Sequence, residues 1–117
     1  MKRFIEYIDK SVEQLQQEEK MLATTDRKDE SNLVKIRINV YGICKSDYQV
    51  FAQSKANEDL KSTYLKKLDS LAVGWQEARD KAQKFQAVDK VVIEEIKLQT
   101  LADIRLEFLE IWEERTC

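Results

Sequence analysis

The sequence predicts an all-α protein, an antiparallel up-down-up-down four-helix bundle forming a single domain over residues 1–117, and three observations carry that expectation. Two glycines and no proline among 117 residues fall far below the roughly 12% of average usage, and tight hairpins and strand ends draw on those two residue types. Four stretches place apolar residues at alternating spacings of three and four, the period of a helix face turned towards a core. Hydrophobic residues make up 43% of the chain, enough to build that core despite a large charged fraction.

The first helix carries its seam at positions 1, 5, 8, 12, 15, 19 and 22, which read Met, Ile, Ile, Val, Leu, Glu and Leu. Glu19 alone is polar. The stretch 24–31 is wholly polar and reads as a loop, with Asp29 or Ser31 capping the helix that follows. In the second helix positions 33, 36, 40, 43, 47 and 50 read Leu, Ile, Val, Ile, Asp and Val. A second break falls near 54–58, where Asn57 suits an N-cap and Glu58-Asp59 a first turn.

The third seam runs Leu60, Tyr64, Leu68, Leu71, Trp75, Ala78, Ala82 and Phe85 without a miss. Its phase fails beyond that point, because positions 89, 99, 103, 110 and 113 are polar. A different seam, 93, 97, 101, 104, 108 and 111, serves the fourth helix. A chain that changes its apolar face between Phe85 and Ile93 turns there, so a third break is expected near 86–89, with Asp89 as N-cap and Val88 and Ile93 as a hydrophobic staple. Short links make sequential helices neighbours. The register they impose puts Glu19, Ile36, Trp75 and Ile104 in one layer, and Ile8, Asp47, Tyr64 and Trp112 in another.

Composition excludes several chemistries. Without histidine the commonest general base and metal ligand is missing, and neither Cys44 nor any serine has an imidazole to activate it. Gly42 and Gly74 each stand alone inside a helical pattern, which rules out a phosphate-cradling loop and reads as close helix–helix approach. The net charge of −2 offers no field for nucleic acid or an anionic membrane. The N-terminal Met1–Ile5 begins like a signal peptide, but Glu6 and Asp9 interrupt it and no segment reaches membrane-spanning length. Two cysteines do not make a disulfide framework, so a cytoplasmic location is expected, with Cys44 packed as a small hydrophobe. No cofactor is implied.

One enzymatic alternative remains. Glu77-x-x-Asp80 and Glu94-Glu95 resemble, in inverted order, the acidic fragments by which Mg²⁺-dependent all-α nucleotide pyrophosphohydrolases gather their metal. Leu98 stands where a further carboxylate belongs. The expectation is therefore a non-enzymatic interaction protein, a small helical adaptor, chaperone-like or regulatory module.

The width of the apolar arcs points the same way. The first and third helices have narrow arcs that one core absorbs. The second adds Val34, Ile38, Tyr41 and Tyr48 beside its seam, and the fourth covers half its cylinder. Either these two helices lie deeper than a square bundle allows, or they meet another chain. The strip Val34, Ile38, Tyr41 and Tyr48 is the candidate interface for a homodimer, since tyrosine buries a ring and keeps a hydroxyl for the rim. Glu95, Asp103, Glu110 and Glu114 form a candidate acidic face for a different, basic protein partner. Asp47 with Tyr64, and Glu19 with Trp75, are candidate buried polar pairs.

Overall fold

The computed structural model describes residues 2–54 and 57–116 as four helices: α1 (Lys2–Thr24), α2 (Lys28–Ser54), α3 (Asn57–Lys84) and α4 (Val88–Thr116). The seam position Met1, the Asn57 and Glu58 side chains at the second break, and Cys117 lie outside the described residues. All three breaks fall where the polar stretch and the change of phase put them.

The chain ends its helices without glycine. Asp26 and Gln86 adopt φ of 62° and 57°, the left-handed conformation that closes a helix and that glycine usually fills. After α3, the Ala87 N–H donates to the Ala82 carbonyl at 2.9 Å and the Gln86 N–H to the Gln83 carbonyl at 3.0 Å. This six-to-one, five-to-two pair satisfies the orphaned carbonyls at a helix end. After α1, the Arg27 N–H reaches the Leu22 carbonyl at 3.0 Å in the same way. The next helices start at once, because Arg27 and Ala87 accept from the N–H groups of Ser31 and Val91. Arg27 and Ala87 are thus the N-cap positions, not Asp29, Ser31 or Asp89. The two aspartates sit in first turns, where their charge still favours the helix dipole, and Ser31 is buried within α2.

The helices form two antiparallel hairpins, α1–α2 and α3–α4, joined face to face. α2 and α4 each touch all three other helices, whereas α1 and α3 do not meet. The cross-section is therefore a flattened rhombus with α2 and α4 across its short diagonal. That placement accounts for the wide apolar arcs of α2 and α4, since each is covered from three sides.

Register follows the expectation within α1–α2 and departs from it in α4. Lys45 bonds Asp9 across the first hairpin at 2.7 Å, level with the expected neighbourhood of Ile8 and Asp47. In the second hairpin the Tyr64 ring meets Phe108 at 4.9 Å between centroids, one turn short of Trp112. Lys97, not Ile104, is level with Trp75, with its ammonium 5.7 Å from the ring centre.

Burial is concentrated in one half of the molecule. The half holding the α2–α3 link contains Phe4 and Ile8, Val40, Tyr41, Cys44 and Tyr48, Leu60, Tyr64 and Leu68, and Leu101, Ile104, Phe108, Ile111 and Trp112, all in one buried cluster. Phe4, Tyr48, Tyr64 and Phe108 pack edge to face with centroids 4.9 to 6.2 Å apart, the geometry aromatic quadrupoles prefer. Arg3 and Glu114 pair over this end. In the other half, where each hairpin turns, only Ser31, Val34, Ala82 and Thr100 are buried among the described residues. We call the two halves the closed end and the open end.

Candidate interaction surface

The strip expected to meet a second copy is already used by the chain's own core. Val34, Tyr41 and Tyr48 are buried, and Ile38 is half-buried. The Tyr41 hydroxyl shares a hydrogen bond with that of Tyr7 at 3.1 Å, and Tyr48 stands in the aromatic cluster. The physical reason is the central position of α2, whose wide arc is consumed by three neighbours. What α2 shows to solvent is part of its expected core seam: Ile43 and Val50 are exposed. The strip expected at an interface is thus the inner side of α2, and part of the expected seam is its outer side.

Both glycines also differ from expectation. A methyl group at Gly42 or Gly74 would meet no atom within 4 Å, so neither marks a close approach of helices.

The candidate polar pairs are not formed. Tyr64 donates its hydroxyl to the Cys44 carbonyl at 2.8 Å, leaving the Asp47 Oδ2 buried without a hydrogen-bond partner. Burial, with the charges of Cys44 and Asp47 behind it, pushes the Tyr64 phenol far above its ordinary range. Cys44 is a free thiol, pushed up to about 12 by burial first and by Asp47 second. Glu19 pairs with Lys35 at 3.7 Å, and Trp75 belongs to the other hairpin under Lys97.

On α4 the acidic residues Glu95, Asp103 and Glu110 are exposed, and Glu114 is held by Arg3. The acids of the enzymatic alternative go separate ways. Asp80 lies beside Arg79 at 3.7 Å and Glu94 pairs with Lys97 at 3.1 Å. Among the described residues no three acidic or thiol side chains converge on a point that would hold a metal ion.

Two of the surface depressions concern binding, one between the hairpins and one at the open end. A polar cleft of about 260 Å³ lies between the hairpins, lined by Ser11, Gln14 and Glu18 of α1, Arg37 and Tyr41 of α2, and Gln99, Thr100 and Asp103 of α4. The second, of about 330 Å³, is a groove along the turn of α3–α4. Its floor is Ala78, Ala82, Ala87 and Ile93, Phe85 stands at its end, and Lys81 and Lys90 flank it. Ala78, Ala82 and Phe85 are the last three positions of the α3 seam, and Ile93 is the first of the α4 seam. The groove is thus the continuation of the core beyond the point where the core is covered. Phe85 is 70% exposed. The spacing expects Ala78, Ala82, Phe85 and Ile93 in the core, and nothing in it marks where cover stops.

No protein-family model matches this chain, and no curated protein and no solved structure matches it either. Among the described residues no helix is long and apolar enough to cross a membrane.

Proposed function

We propose that this chain is a non-enzymatic protein-interaction module, of the adaptor or chaperone-like kind, that works by self-associating through helical surface. The observation that supports the reading is the uncovered seam at the open end: Trp75, Ala78, Phe85 and Ile93 belong to core stripes by spacing yet remain partly exposed. A cytoplasmic home is part of the reading, and the free, buried thiol of Cys44 suits it.

Area supports the same reading. The Cα radius of gyration is 15.7 Å, against about 13 Å for a compact chain of this length. The accessible surface is 7802 Å², about 1,200 Å² above the scaling for compact monomers of this mass. A standard interface takes about 800 Å² from each partner. The surplus is more than the area one partner's face requires.

Sedimentation velocity of the wild-type chain tests the proposal. A concentration-dependent shift from monomer to dimer across the micromolar range is the expected result. A single monomeric species up to hundreds of micromolar overturns self-association.

A further inference from the structure

We infer that the groove on the α3–α4 turn receives the α1–α2 turn of a second copy, in a reciprocal exchange about a two-fold axis across the open ends. This rests on the self-association proposed above and adds the surfaces that meet.

The groove has the chemistry of a receptor for a helix. Its alanine floor leaves room for larger side chains from outside, and Phe85 adds an apolar wall. Helix-in-groove recognition needs such a trough with flanking charge. Of the charged residues that line it, Lys81 and Lys90 are basic and Glu94 is acidic. Lys81, Lys84 and Lys90 make no ion pair among the described residues, and the one acid that lines the groove, Glu94, is paired through Oε1 with Lys97 at 3.1 Å.

The α1–α2 turn has the complementary chemistry. Residues 13–30 hold six acids against three bases. Glu13, Glu18, Asp26 and Asp29 make no ion pair among the described residues, and Met21, 71% exposed, supplies an apolar anchor beside them. Within one copy α1 does not reach α3, so the chain's own α1 leaves the groove uncovered.

Symmetry selects the second copy over a chain of copies. Both turns project from the same end of the molecule. A two-fold axis perpendicular to the flattened face brings each acidic turn against the other copy's basic groove, and the contact closes as a dimer rather than propagating. The remaining faces lack this complementarity. The outer face of α2 around Ile43 offers one acid, Asp47, and no base among the residues lining it, and the exposed stripe of α4 is acidic and meets its own like charge in a two-fold pairing.

The test uses two charge-reversed chains, Lys81→Glu/Lys90→Glu and Glu18→Lys/Asp29→Lys, sedimented alone and mixed beside wild type, with thermal melts confirming that each is folded. All four positions are exposed. Each variant alone sets like charge against like, and its dimer is expected to weaken at least about tenfold. Mixing restores both contacts, since the acidic groove of one chain then faces the basic turn of the other and the reverse. Recovery of a heterodimer in the mixture supports the inference. If either variant dimerises like wild type, or the mixture stays monomeric, the inference falls while self-association stands. Loss of the dimer in Ile43→Glu/Val50→Glu, with the charge reversals silent, moves the interface to α2. A wild-type chain that is itself monomeric overturns both readings.

Discussion

At Tyr64 one hydroxyl ties two hairpins together, because its hydrogen bond crosses from α3 to the Cys44 carbonyl of α2. Removing it with Tyr64→Phe keeps the ring against Phe108 and Tyr48 and leaves a carbonyl that still has a helical partner. The expected cost is about 1 kcal/mol, read as a lowered urea midpoint with an unchanged slope. Cys44 sits one layer away. Its thiol is pushed from 9.0 to about 12 in the folded chain, so the folded state holds that proton more tightly than the unfolded one. Its contribution to stability is complete below pH 9, and is lost as pH rises towards 12. Urea midpoints measured across that range are expected to fall more steeply for the wild type than for Cys44→Ala. At this scale the sequence showed that Cys44 and Tyr64 are core residues. It did not show that the phenol serves a carbonyl rather than Asp47, since a choice between two acceptors one turn apart depends on helix rotation.

Among the helices, α3 was the most legible and α2 the least. The α3 seam held its phase from Leu60 to Ala82 because α3 lies at an acute corner of the rhombus, leaving one stripe for the core. α2 carries apolar residues on most of its circumference, so periodicity alone left its inner side ambiguous. The side chosen was wrong, with Tyr41 and Tyr48 inside and Ile43 and Val50 outside. The α4 seam is correct in phase and one to two turns out in register, because the chain turns at Phe85–Ala87, earlier than the 86–89 expected from phase. Neither glycine marks the close helix approach expected of it. Gly42 and Gly74 have open space around them and no positive φ, so each costs helix propensity with no packing return in the monomer. Gly74→Ala is expected to stabilise the chain by about 1 kcal/mol, seen as a rise in melting temperature. A fall would mean that the position faces something beyond the single chain.

For the whole molecule, the difference between closed and open ends predicts a gradient in local stability. Opening free energy follows buried apolar contact, so amides near Phe4, Tyr48, Tyr64 and Phe108 are expected to exchange hydrogen slowest. Amides near the turns at 15–34 and 75–97 are expected to exchange fastest in dilute protein. If the turns close against a second copy, raising the protein concentration slows exchange there and leaves the aromatic end unchanged. Exchange followed by mass spectrometry at two concentrations reads both effects. Because the pairing joins exposed opposite charges, molar salt is expected to return the turns to fast exchange.

The sequence by itself determined the class, the number of helices and the three breaks, since those depend on local period, helix phase and the near-absence of glycine and proline. It also determined which residues are apolar enough for a core. Only the tertiary structure decided which side of α2 is inside, where α4 sits along α3, and where the core stops. Those outcomes come from how four cylinders pack. Moving α2 and α4 onto the short diagonal turned a supposed interface into core, and left the far ends of two core stripes exposed.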